Sequence, residues 1–174
     1  MRLSTVGSKQ QVEGTEMGRV TAQLLLQNAI DAWMAEQGQI PPEQVRAVEV
    51  EGLVDTGATA LVIPKAIADQ LGVPEVRRTT VRYADNRTAE RSVVGPIRLT
   101  VCNRTEIFSA IVEEEANEPL IGQVVLELLD LVVDPQARTL MPNPRSPEMP
   151  MIDILRFQSA MDFKASSKSV ESKI

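Results

Sequence analysis

A chain of 174 residues with 43% hydrophobic content and a formal net charge of -6 suits one domain with tails, and it lacks the basic field needed to hold a phosphate backbone. It has one cysteine and no histidine, which excludes an internal disulfide, a multi-cysteine zinc site and any Ser-His-Asp or Cys-His arrangement within the chain. Chemistry is left to carboxylates, hydroxyls, lysine and arginine.

Residues 1–16 are polar and aperiodic and read as an extension, with Met17 able to serve as a start. They contain no apolar signal-peptide core, and no apolar run in the chain is long enough to span a bilayer, so the expectation is no membrane partner and a cytoplasmic location. In VTAQLLLQ, Val20, Ala22, Leu24 and Leu26 alternate with polar residues, which predicts a strand. Asn28 then caps a short helix, AIDAWMAEQ, ended by Gly38, while a single helix over 20–37 is the competing reading. After Pro41 and Pro42 a strand, RAVEVEGLVD, runs to Asp55, LVIP resumes as a strand, and Pro64 starts a helix, KAIADQLG, closed by Gly72.

TTVRYADNRTAERSVV predicts a long hairpin with Ala84, Asp85, Asn86 and Arg87 near its tip, followed by two more strands, GPIRLTVCN and EIFSAIVEE. Cys102 lies in the first of these as a structural thiol. The segment EPLIGQVVLELLDLVVDPQARTLMP predicts an apolar strand, a short helix over about Gln123 to Leu129, and a final hairpin turning at Pro135 and Gln136. Four of eleven prolines fall between Pro142 and Pro150, which places a domain over 17–145 and a Pro-rich linker with a disordered tail over 146–174. Glu113, Glu114, Glu115 and Glu118 read as a solvated loop, and Asp134 as a structural turn acid. The sum is a β-rich closed or sandwich-like body with short helices and an aliphatic core.

The stretch VEVEGLVDTGATALVIP drives an apolar strand into an acid and then returns to apolar sequence. In isolation Asp55-Thr56-Gly57 reads as a turn in which the carboxylate caps local N–H groups. Its context says more: an apolar strand, Asp55-Thr56-Gly57-Ala58, a helix, a hairpin, then Leu120-Ile121-Gly122 and another helix. In this order the chain from Gly18 to Pro142 resembles the retropepsin-like aspartic proteases.

The resemblance implies a mainly β fold, one lobe of an aspartic protease, in which Asp55 is the catalytic carboxylate. Thr56, Gly57 and Ala58 support it, Tyr83, Ala84, Asp85 and Asn86 belong to a flap over the substrate, and Leu120, Ile121 and Gly122 form the second motif. Family members pair two such aspartates, one as base and one as acid, around an attacking water, and need no metal or cofactor. None of Asp31, Asp69, Asp85, Asp130, Asp134, Asp153 and Asp162 is followed by Thr-Gly or Ser-Gly, so the second carboxylate is expected from a second copy of the chain. The implied activity is endopeptidase cleavage of a peptide or protein substrate by a homodimer. The alternative is an inactive dimerisation or peptide-binding module of the same fold.

Two features depart from the viral pattern. Thr59 and Gln123 stand where viral members commonly carry an ion pair, and the tip ADNRT lacks their glycine-rich sequence. Ala58 offers the carboxylates no hydroxyl, which implies a weakly acidic optimum, less acidic than in relatives with Ser or Thr at this position. Arg77, Arg78, Arg82, Arg87 and Arg91 make the hairpin locally basic, either as a solvated face or as a preference for an acidic substrate segment.

Overall fold

The alternating pattern after Arg19 forms a strand, and the competing long helix does not: β1 spans Thr21–Asn28, and Leu24 and Leu26 are its buried apolar residues at 2% and 0% exposure. The computed structural model describes residues 19–134 and 136–152, so the readings made for 1–16, Met17, Pro135 and the tail beyond Ile152 lie outside the described residues. Asn28 turns the chain into α1 (Ala29–Glu36), its Oδ1 accepting from the N–H groups of Ile30 and Asp31 at 3.0 and 3.2 Å. Gly38, at φ +70, ends the turn that follows. Asp31 is held by Arg46 at the start of the next strand, whose Nε and Nη2 lie 2.6 and 2.8 Å from its two oxygens.

The order continues with a short 3-10 turn (Pro42–Gln44), β2 (Ala47–Val54), β3 (Leu61–Pro64), α2 (Lys65–Leu71), β4 (Glu75–Arg82), β5 (Thr88–Val101), β6 (Arg104–Glu113), β7 (Leu120–Ile121), α3 (Gln123–Leu128), β8 (Leu131–Asp134) and β9 (Thr139–Pro142). Pro64 closes β3 and caps α2, so the helix starts at Lys65 and not at the proline, and Gly72, at φ +58, ends it. Six strands close a ring in the order β1, β2, β7, β3, β6, β5, with β5 returning to β1 through Leu26 opposite Leu99. β4 stays outside the ring and pairs with β5 alone.

Leu26, Leu61, Ile63, Leu71, Ile97, Leu99, Ile121, Val125 and Leu129 fill the barrel, all at 0 or 1% exposure. Each such aliphatic side chain contributes about 1.5–3 kcal/mol relative to leaving it in water. The fold is thus mainly β, a closed barrel with a few short helices, and it matches a retropepsin-like lobe.

Two sequence expectations give way. The second arm of the hairpin and the strand after it are one continuous β5, which passes through Gly95 and Pro96 with a register shift between Val94 and Ile97. Cys102 is not in a strand: with Asn103 it forms the two-residue turn between β5 and β6, at φ +50 and +60. Its thiol is half-buried, donates to the Leu140 carbonyl at 3.3 Å, and is pushed up in pKa by burial.

The chain after β9 folds back on the barrel. Arg104, 5% exposed, donates to the carbonyls of Leu129 (2.7 Å), Asp130 and Ser146. The Asp130 carboxylate accepts from the Ser146 hydroxyl, from Asn143 Nδ2 at 2.8 Å and from the Met151 N–H at 3.1 Å. Asp134 caps its own turn, accepting from the N–H groups of Gln136 and Ala137 at 2.8 and 2.9 Å.

Candidate active site

β2 presents Val48, Val50, Gly52 and Val54 to the barrel interior, so the alternation of a strand sends Leu53 and Asp55 to the outer wall. Beyond Val54 the backbone turns at once. The Ala58 N–H donates to the Asp55 carbonyl at 3.1 Å, and the Gly57 N–H donates to Asp55 Oδ1 at 2.8 Å. A Cβ at Gly57 would stand 3.1 Å from that oxygen, tighter than an ordinary contact, so glycine lets the amide come this close. The carboxylate is half-buried and aimed by its own loop, while Thr56 and Gly57 are exposed.

The second motif holds this loop from behind. Leu120 and Ile121 pair in parallel with Leu53 and Val54, Leu120 also pairs with Val62, and the Asp55 N–H donates to the Ile121 carbonyl at 3.1 Å. Past Gly122 the N–H groups of Gln123 and Val124 donate to the carbonyls of Ala58 and Thr59 at 2.8 and 3.0 Å. A Cβ at Gly122 would lie 2.3 Å from the Ala60 carbonyl oxygen and 2.7 Å from that of Ala58, so only glycine permits the approach. The missing charges at Thr59 and Gln123 are accounted for: the contact is made by main chain, and the Gln123 side chain turns instead to Glu127 at 2.9 Å.

A feature absent from the sequence reading is an apolar row on the outer wall. Leu53 is opposite Leu120, Leu120 opposite Val62, Val62 opposite Ile111, and Ile111 opposite Val93. Register partners point to one face, so this row crosses five strands on the same side as Asp55. Leu53, Leu120, Val62 and Ile111 are only half-buried. The signal for the row is the alternation in each strand, but its continuity exists only once the register is set.

The predicted flap residues form a compact tip. Tyr83 and Arg87 close a three-residue loop of Ala84, Asp85 and Asn86, with the Tyr83 N–H donating to the Arg87 carbonyl at 2.9 Å and Asn86 at φ +65. Asp85 accepts from the Arg87 N–H at 3.0 Å and from its Nε at 2.5 Å, and the Arg87 side chain holds its carboxyl below the usual aspartate range. No hydrogen bond joins the tip to the Asp55 loop among the described residues. Tyr83 instead donates through Oη to Glu113 Oε2 at 2.5 Å, and Arg91 Nε meets the same oxygen at 3.0 Å.

Glu113 is therefore not part of a solvated loop: it ends β6 as a partly buried anion. Burial pushes its carboxyl up, but the bonds from Arg91 and Tyr83 outweigh that and hold it below the ordinary glutamate range. Glu118 is also engaged, by Arg19, whereas Glu114 and Glu115 are exposed. Arg78, Arg87 and Arg91 pair with Glu90, Asp85 and Glu113, so most of the hairpin's positive charge is answered within the hairpin and β6. Among the described residues no three Asp, Glu or Cys side chains converge as metal ligands, and no helix is long and apolar enough to cross a membrane.

A closed β-barrel carrying an Asp-Thr-Gly loop zipped to an apolar-apolar-Gly segment defines the class of retropepsin-like proteins. Residues 42–127 match the family model described as "gag-polyprotein putative aspartyl protease", a segment that contains Asp55, the hairpin and the second motif. The matched segment is retropepsin-like, and the barrel that carries it has the fold of a retropepsin-like lobe. A comparison with curated proteins finds no match.

Proposed function

We propose that this protein is an aspartic endopeptidase that works as a symmetric homodimer, with Asp55 of each copy on the two-fold axis. The observation that carries the reading is the Asp55 loop itself: a half-buried carboxylate, aimed by the Gly57 amide, at the edge of an outer face whose Thr56 and Gly57 are exposed. One carboxylate cannot serve as both base and acid, and the chain has a single Asp-Thr-Gly. Two facing copies supply both. Two close carboxylates share one proton, because ionising both is costly. The ionised one takes a proton from a water held between them, the protonated one donates to the substrate carbonyl, and the water oxygen attacks the carbonyl carbon.

The substrate in this reading is an extended peptide lying between the hairpin and the row Leu53, Leu120, Val62 and Ile111, held by main-chain hydrogen bonds and aliphatic contact. Thr56 reaches across the axis to the partner loop, and no cofactor takes part.

The test is hydrolysis of a diverse peptide library by wild type and Asp55→Asn. The variant keeps the shape and removes the ionisable oxygen, so activity should fall by several orders of magnitude with the fold intact. Specific activity of the wild type should also fall on dilution below the dimer dissociation constant. Cleavage by a folded Asp55→Asn protein, or by a strict monomer, would overturn the reading, and a folded dimer without any cleavage would favour a peptide-binding module.

A further inference from the structure

We propose that Tyr83, Arg91 and Glu113 form a latch that fixes the position of the hairpin tip relative to the barrel, and that Tyr83 acts as a positioning residue for substrate. The need for a latch follows from the topology. Val93 opposite Ile111 is the outermost β5–β6 pair, and beyond it β4 and β5 pair only with each other, from Arg78 opposite Ser92 to Arg82 opposite Thr88. A two-stranded ribbon is marginal by itself in water. Something besides the ladder has to hold it.

Three contacts do so. Arg91 and Glu113 lie one step past the last ladder pair on the face of Val93 and Ile111, and their side chains are 25% and 14% exposed. Tyr83 shares that face, because Val81 opposite Ala89 and Thr79 opposite Arg91 carry the alternation from the barrel to the tip. The Arg87 and Arg91 guanidinium carbons lie 5.4 and 5.8 Å from its ring centre, so two cations stand near the ring. Its hydroxyl then reaches Glu113 Oε2, the oxygen that Arg91 also holds.

The anchor is joined to the site along the chain. Glu113 begins the segment that leads to Pro119, whose carbonyl accepts from the Leu53 N–H at 2.8 Å, and to Leu120 beside the Asp55 loop. Tip, ribbon base and the floor beside Asp55 thus meet on one carboxylate and the loop it starts. A phenylalanine at 83 keeps the ring beside the two arginines but loses the bond to Glu113, which separates latching from packing.

The experiment uses the full chain and its sole tyrosine. Titration of Tyr83 followed by tyrosinate absorbance should lie above the ordinary tyrosine range in wild type, because its hydroxyl donates to Glu113, and move back toward that range in Glu113→Gln. In Tyr83→Phe and Glu113→Gln the backbone amides of residues 79–90 should exchange with deuterium about tenfold faster or more, while the barrel strands keep their protection. With a cleaved peptide, KM should rise about tenfold in both variants with kcat within about twofold, the pattern of lost positioning rather than lost chemistry.

Unchanged tyrosine titration together with unchanged exchange would overturn the latch, and lost protection with unaltered KM would overturn the positioning role. The positioning role rests on the peptidase reading, but titration and exchange do not. A wild type that cleaves nothing yet shows both signatures would leave the latch standing and remove the peptidase.

Discussion

Replacing Gly122 by alanine should destabilise the protein through contact alone. The backbone at Gly122 sits at φ -85 and ψ 177, a region any residue adopts, so alanine meets no torsional penalty there. The added methyl would lie 2.3 Å from the Ala60 carbonyl oxygen, 2.7 Å from that of Ala58 and 2.8 Å from the Ala60 nitrogen, all main-chain atoms that cannot rotate away. The loops must part, which strains the packing by about 1–3 kcal/mol. Parting them also weakens the bonds of Gln123 to Ala58 and Val124 to Thr59, each contributing about 0.5–1.5 kcal/mol. The sum is about 2–6 kcal/mol, and at about 3 kcal/mol a chain of this size loses on the order of 6–12 °C in Tm. Gly38→Ala is the matched control, with open space around the site but φ +70, so its cost should be only about 1 kcal/mol. The assay is thermal and urea unfolding of wild type and both variants. A Gly122→Ala protein within about 2 °C of wild type would show that the loops separate freely, and the argument for a rigid holder behind Asp55 would fail.

Two further outcomes follow from charges outside the site. The Ser146 hydroxyl, then the Asn143 amide and the Met151 N–H, push the Asp130 carboxyl down to about 2, below its unfolded value of about 3.9. A depressed carboxylate stabilises fully above the unfolded value and loses that effect as pH falls toward about 2, so the urea midpoint of wild type should drop more steeply over this window than that of Asp130→Asn; parallel curves would refute the assignment. Asp31→Ala removes both bonds to the Arg46 guanidinium at the start of α1 and should cost about 1–2 kcal/mol, less than a fully buried pair because the Arg46 side chain is 48% exposed. Its Tm should fall by several degrees, and an unchanged Tm would show that the pair is neutral.

What was legible in the sequence is what is decided within a few residues. Asn28 caps α1 as read, since an N-cap is a bond to the second and third amides that follow it. Asp55 with Gly57, and Gly122 before α3, could likewise be found because the turn and the close approach each require a particular residue type at a particular place. The length of β5 was not legible, because Gly95-Pro96 carries the local signature of a break, while the strand runs on with a register shift against β6 that only the partner strand can reveal. Cys102 was misplaced for a related reason: the turn is set by the pairing of Val101 with Arg104, and cysteine is not a turn former. Glu113 read as one of a solvated charge run because its partners, Tyr83 and Arg91, are distant in sequence. The apolar row beside Asp55 depends on five strands being in register at once.

The buried Arg104 has a consequence for where the chain can be cut. Its guanidinium is satisfied partly by the Ser146 carbonyl, and Asp130 beside it by Asn143, Ser146 and Met151. The matched family segment stops at residue 127, and a chain trimmed there, or after the last strand at Pro142, would strip partners from a cation that is 5% exposed. Cut after Pro142, the cation keeps Asp130 and loses only the Ser146 carbonyl, whereas a cut at 127 removes Asp130 as well and leaves a buried charge unpaired, which is far more costly. Minimal versions of this domain should therefore be drawn from the anchoring of Arg104, and keep Ser146, rather than from the borders of the family motif.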